Sequence, residues 1–185
     1  MGLGPFAITH GRNPQNSGRV RLSGDAREEY LNTRNQLLKL LKDKNSDCAK
    51  FLRDVVGISA SRIARTVRAQ RAFDGDASTI SMEGAGLLPR GSIGEVEGYF
   101  TQSSARVSEF FAGRRATAAQ AGFARASTGA SQNDVYYLPG GFMEQQILHE
   151  ALHTFFGASE GELDKRHADL TSLGHAGCSL IGHAN

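Results

Sequence analysis

The chain has 185 residues, 39% hydrophobic and 22% charged, which suits one folded domain with a real core and excludes a disordered or fibrous chain. Its 21 Lys and Arg against 19 Asp and Glu leave a formal net charge of +2, so bulk charge calls for no nucleic acid or other polyanionic partner. No apolar run approaches membrane-spanning length, so no membrane partner is expected either.

Residues 1–22, MGLGPFAITHGRNPQNSGRVRL, are rich in Gly, Pro and Asn without periodicity. They read as a flexible segment or linker, with His10 a lone linker histidine. They show neither a charged-then-apolar export signal nor the Ser or Thr of a myristoylation site. Residues 23–185 read as a single domain.

The first part of that domain is helical. Ser23 or Asp25 can cap a helix, Glu28 and Glu29 suit its first turn, and Leu31, Leu37, Leu38, Leu40 and Leu41 give it an apolar face to about Lys44. Asn45 or Ser46 can cap a second helix that Gly57 ends. A third is expected from Ser59 to Phe73, carrying Arg62, Arg65, Arg68 and Arg71 three apart. An Arg row can bind phosphates, but this one has no interleaved aromatics and reads as a solvated face.

Residues 74–138 change character. Alternation predicts short strands around Ser78–Met82, in GEVEGYFTQ, in ARVSEFF (where a helix is the alternative) and most clearly in NDVYYLPGG. RRATAAQAGFARAS reads as a loop or short helix. Tyr136 or Tyr137 could help to stabilise an oxyanion. Adjacent tyrosines on a strand are more often one in the core and one at the surface.

The chemistry concentrates in QILHEALHTFFG, residues 146–157. His149, Glu150 and His153 are spaced H-E-x-x-H. On a helix, positions i and i+4 share one face, so both imidazoles can reach one metal ion. Ile147, Leu148, Ala151, Leu152, Phe155 and Phe156 surround the motif with apolar side chains. Buried His and Glu are costly unless hydrogen-bonded or metal-bound. The blander reading is a core helix with hydrogen-bonded histidines.

These residues resemble the zincin superfamily of metallopeptidases. Ala151, Leu152, Thr154 and Phe155 comply with the extended zincin pattern. Gln146 departs from the Val or Thr often found there. The resemblance implies an α+β, zincin-like fold: N-terminal helices plus a small twisted mixed or antiparallel sheet packed on the H-E-x-x-H helix, with an edge strand to hold an extended peptide. It further implies Zn²⁺ on His149 and His153, with Glu150 as general base for a metal-activated water.

The third ligand stays open. Metzincins continue H-x-x-G-x-x-H or Asp, whereas here His153 is followed by TFFGASE, with one residue inserted and no later Met for a Met-turn. Gly157 should end the helix, and Glu160 then falls where a metzincin has its third ligand. Gly161-Glu162-Leu163-Asp164 looks like the G-T-x-D of aspzincins. Glu160 ranks first and Asp164 second, with His167 and Asp169 behind. The bland reading of each is a solvated charge on a helix over GELDKRHADL.

Five of the six His lie after residue 148, and His167, His175 and His183 read mainly as surface residues. Cys48 and Cys178 are the only cysteines. They are either two buried thiols or one disulfide, and the disulfide is the expectation taken here. NSDCAKFL, the late H-E-x-x-H and the terminal Cys also look like small C-terminal domains of bacterial Rhs-repeat and related secreted proteins. That likeness implies an exported, secreted or cell-surface domain, toxin-like or a processing peptidase, joined to a larger polypeptide; a monomer is expected, and a cytoplasmic location is left open.

The functional expectation is a zinc metallopeptidase acting on a peptide or protein substrate. The alternatives are a catalytically degenerate zinc-binding module that serves as a binding or toxin-associated domain, and a nucleic-acid-binding effector that uses the Arg row.

Overall fold

The computed structural model of the protein describes residues 18–100, 133–158 and 160–180, apart from the side chains of residues 98–100 and 160. His10, His183, ARVSEFF and RRATAAQAGFARAS lie outside the described residues. In chain order the described elements are α1 (Gly24–Lys42), α2 (Asp47–Phe51), a π-helical turn (Leu52–Val56), α3 (Ala60–Ala69), β1 (Arg71–Asp74), α4 (Gly75–Gly84), α5 (Ser92–Phe100), β2 (Asp134–Tyr137), α6 (Glu144–Phe156), α7 (Glu160–Lys165) and α8 (Leu170–His175). The architecture is α+β, mostly helical with a small sheet. The chain divides into two compact units. One combines residues 22–71 with 139–185, and the other combines 1–21 with 72–138.

The first unit is helical. α1 buries Tyr30, Thr33, Leu37 and Leu41, the spacing of one helix face. Leu31, Leu38 and Leu40 are only half-buried beside that face. Ser46 caps α2 by accepting the Ala49 amide at 3.1 Å. α2 runs on into the π-helical turn, which ends at Gly57 (φ 89°), where the amides of Gly57 and Ile58 both reach the Leu52 carbonyl. α3 buries Ile63, Ala64 and Val67. It stops at Ala69, four residues short of the expected end at Phe73. Gln70 turns extended there (ψ 132°) and is buried, accepting the Tyr30 hydroxyl at 2.7 Å. A side-chain amide held in the core fixes the break, and residues 71–74 become strand.

The second unit holds the sheet. β1 pairs with β2, and Arg21 adds an antiparallel bridge to Phe73. Phe73, Met82, Leu88, Val96 and Tyr136 form its core, with the Phe73 and Tyr136 rings stacked at 5.3 Å. Arg19 and Asp134 form a buried ion pair.

Two expected strands are helices. Gly75, Ser78, Thr79 and Met82 are the buried residues of α4, which is i, i+3, i+4, i+7 spacing. Asp74 caps α4 by accepting the Ala77 amide at 2.9 Å, and the Thr79 hydroxyl donates back to the Gly75 carbonyl at 2.6 Å. A five-residue run that also alternates carried too little periodicity to separate the two cases. GEVEGYF lies in α5, where the Ile93 amide is held by the Glu83 carboxylate at 2.6 Å. The expectation of one buried and one exposed tyrosine also fails, since Tyr136 and Tyr137 are 1% and 0% exposed.

Within its own unit α6 packs against α1, α3, α7 and α8. Its immediate surroundings there are helical. Among the described residues the sheet has only the two strands β1 and β2, both of which fall largely in the other unit.

Candidate metal centre

α6 is buried along nearly its whole N-terminal half, from Glu144 to Leu152 with only Gln145 half-exposed. Gln146, the departure from the zincin pattern, has a local job. Its side-chain oxygen accepts the Met143 amide at 3.1 Å and so closes the first turn. Gly157 (φ 60°) ends the helix, with its own amide and that of Ala158 on the His153 carbonyl.

The two histidines are held through Nδ1. His149 Nδ1 lies 2.8 Å from the Ala168 carbonyl oxygen, and His153 Nδ1 lies 2.7 Å from that of Ala158. A carbonyl oxygen can only accept, so each Nδ1 carries the proton. Each ring therefore meets its other partners through Nε2. The two Nε2 atoms face each other at 3.1 Å, with the rings nearly perpendicular at 87°. Two lone pairs at that distance repel unless a proton or a metal ion lies between them. A tetrahedral zinc with bonds of about 2.0–2.1 Å sets its two nitrogens about 3.3 Å apart, close to what is seen.

Glu150 is 2% exposed, and one of its carboxylate oxygens lies within 4.8 Å of a nitrogen of each histidine. Two imidazoles oriented by backbone carbonyls, with a carboxylate beside them, suit zinc by donor type and by the way the rings are held. The residues present fit the ion.

The rings are steered by helix ends. Ala158 follows left-handed Gly157. Ala168 follows His167, the only non-glycine residue with positive φ (56°) among those described. His167 and Ala168 close α7 by donating their amides to the carbonyls of Asp164 and Leu163. These two bonds form the paired closure that glycine usually supports. Each histidine thus bonds the residue just past a left-handed helix terminus. Gly157 foretold the end of the first helix, though not the bond beyond it. Nothing in the sequence foretold the left-handed closure at His167, because a non-glycine residue at such a position is uncommon.

The expected third ligands fare differently. Glu160 opens α7, and its side chain lies outside the described residues. Asp164 is exposed on α7, His167 is exposed, and neither belongs to the His149–Glu150–His153 group. Asp169 caps α8, accepting the Ser172 amide at 2.9 Å and the Ser172 hydroxyl at 2.8 Å. Partial burial pushes its carboxyl up, but these bonds and the Thr171 amide outweigh it, leaving the group below the usual carboxylate range. Tyr136 and Tyr137 belong to the other unit.

Cys48 and Cys178 form the expected disulfide, with Cα atoms 4.8 Å apart. α8 ends at Gly177 (φ 85°), which turns Cys178 toward α2. The chain then returns to the start of the H-E-x-x-H helix, where the Leu180 amide donates to the Glu144 carboxylate at 3.0 Å. At its other end α6 carries two cations on its aromatics: Arg62 lies 5.1 Å from the Phe155 ring centre and Arg166 lies 4.2 Å from that of Phe156. Among the described residues no helix is long and apolar enough to cross a membrane.

Comparison of the chain with protein-family models, with curated proteins and with solved structures gave no match.

Proposed function

We propose that the chain is a zinc-dependent metallopeptidase of zincin type, working on peptide or protein substrates. One observation carries the reading: two histidines with both Nδ1 atoms committed to backbone carbonyls and both Nε2 atoms turned on one point. His149 and His153 would hold the ion, with Glu160 our choice for the acidic third ligand. Bound zinc supplies Lewis acidity, which polarises a peptide carbonyl and makes a nearby water more acidic. The Ala158 and Ala168 carbonyls fix the ring tautomers and raise the basicity of the Nε2 atoms. Glu150, held by helix geometry beside the pair, would accept a proton from the attacking water and pass it to the departing amine. The Cys48–Cys178 disulfide supports a working place in an oxidising compartment, as for a domain of a secreted bacterial protein.

A second reading has support of its own. After His153 the sequence departs from the metzincin pattern, with one residue inserted before the Glu160 position and no later Met. A module that keeps the histidine pair without a competent third ligand or cleft would bind zinc and not hydrolyse. Elemental mass spectrometry of the wild type and of His153→Ala, Glu160→Ala and Asp164→Ala separates the cases when paired with a mixed-peptide cleavage assay. One zinc per chain, lost in His153→Ala and in one acidic variant, establishes the site and names its third ligand. Glu150→Gln should then keep its zinc and lose cleavage by about 10²–10⁴-fold. Zinc without cleavage in the wild type leaves the binding module. No zinc after reconstitution removes both readings and leaves a hydrogen-bonded histidine pair.

A further inference from the structure

A cavity of about 540 Å³ opens where α1, α2 and α3 of the helical unit meet. Its floor is apolar, made by Leu41, Ala49 and Ala64, all buried. Its rim is cationic. Lys42 ends α1, Lys44 follows it, and Arg65 and Arg68 project from one side of α3 at i, i+3 spacing. Arg53 also lines the cavity, but it is paired with Asp54 at 2.7 and 3.0 Å. Among the described residues the other four cations make no ion pair, and no Asp or Glu lines the cavity. The Ser59 and Ser61 hydroxyls, 3.4 Å apart, complete the lip.

Four positive charges without ion pairs around one concavity repel one another, and its walls focus their field into it, although Asp43 lies between Lys42 and Lys44 in the chain. A dianion relieves that repulsion better than a monoanion. Two guanidinium groups offer the planar forks that phosphate oxygens accept. The apolar floor asks for a ligand with a hydrocarbon part, and the volume lies within the usual range for small-molecule sites. No aromatic side chain lines the cavity, so neither a nucleobase nor a nucleic-acid strand finds a stacking platform. We propose that this cavity binds a soluble phosphate monoester with a short aliphatic body, the phosphate held by Arg65, Arg68, Lys42 and Lys44. The site does not depend on the zinc reading, since it shares no residue with the histidine pair.

Isothermal titration calorimetry on the intact, disulfide-bonded chain tests it, with inorganic phosphate, hexyl phosphate and hexanol as probes. Hexyl phosphate should bind about tenfold tighter than inorganic phosphate, because its methylenes leave water for the floor. Hexanol should give no binding. Arg65→Glu combined with Arg68→Glu should weaken hexyl phosphate by at least about tenfold. Both arginines are exposed, so the thermal midpoint should stay the same. Lys42→Glu, a second exposed position, should weaken it in the same direction. No heat with hexyl phosphate overturns the proposal, and so does binding that survives both variants. A single-stranded oligonucleotide or phosphatidate-bearing vesicles that bind more tightly than hexyl phosphate also overturn it, in favour of an extended polyanion surface or a membrane surface.

Discussion

Two backbone carbonyls, those of Ala158 and Ala168, decide what His149 and His153 can do. By accepting hydrogen bonds from both Nδ1 atoms they turn both Nε2 atoms toward one point. His167 serves that arrangement through its backbone, since its left-handed conformation aims the next carbonyl. A non-glycine residue in that conformation costs about 1–2 kcal/mol. His167→Gly should therefore raise stability by roughly 0.5–1 kcal/mol, after the larger unfolded-state entropy of glycine is subtracted. On the proposed zinc reading, zinc content should not change. Chemical denaturation and metal analysis check this, and loss of zinc in the variant would instead make His167 a ligand. Asp76 is a liability of the opposite kind, in the sheet-bearing unit. Burial raises its carboxyl pKa, helped by Glu97 and Asp74, and one of its oxygens is buried without a hydrogen bond. Because the folded pKa is raised, the folded state binds the proton more tightly. The penalty is therefore present at neutral pH and disappears as pH falls through the raised pKa. Asp76→Asn should stabilise that unit at pH 7 by a few tenths of a kcal/mol, on the order of 0.5 given the partial exposure of the site. The gain should shrink on acidification. A gain that grew toward low pH would contradict the assigned cause.

At the scale of elements, the last three described helices share one device. α6, α7 and α8 end at left-handed Gly157, His167 and Gly177. The residues that follow are Ala158, Ala168 and Cys178, which supply two ring acceptors and one half of the disulfide. Helix termination and site construction are therefore the same event. Gly157→Ala tests this. It should cost about 1–2 kcal/mol for the left-handed backbone, although a Cβ there meets nothing within 4 Å. On the proposed zinc reading it should also weaken zinc about 10–100-fold by displacing the Ala158 carbonyl. Competition with a chromophoric chelator measures the second effect. Unchanged zinc affinity would show that His153 is held by something other than that carbonyl.

At the scale of the whole molecule, the helical unit is assembled from two stretches of chain, 22–71 and 139–185, with the other unit's residues between them. Joining them means closing a long loop, which costs chain entropy before packing returns it. The disulfide removes part of that cost. It links residues 130 apart, which the chain-entropy model values at about 4–5 kcal/mol. Cys48→Ser together with Cys178→Ser should lower unfolding stability by about that amount, and reductant should do the same to the wild type. Equal stability with and without reductant would show that the unfolded chain is already restrained. On the proposed zinc reading, added zinc should partly rescue the reduced protein, since α6 lies in the same unit.

The sequence by itself determined the chemistry that depends on near neighbours. H-E-x-x-H spacing placed two histidines on one helix face, Gly57 and Gly157 ended their helices, and the cap of α2 was narrowed to Asn45 or Ser46, of which Ser46 serves. Those outcomes follow from backbone geometry within a turn or two. The sequence also named the Cys48–Cys178 pair, because with two cysteines only one pairing exists. It misread Ser78–Met82 and GEVEGYF as strands, because a short run of mixed residues satisfies both periods and the capping contacts of Asp74 and Glu83 decide between them. Only the tertiary structure decided that Gln70 breaks α3, since the break rests on the hydroxyl of Tyr30, forty residues away in the chain. The Ala168 carbonyl, nineteen residues beyond His149, is of the same kind. The cationic cavity is too, since its rim and floor come from three helices whose meeting no local pattern encodes.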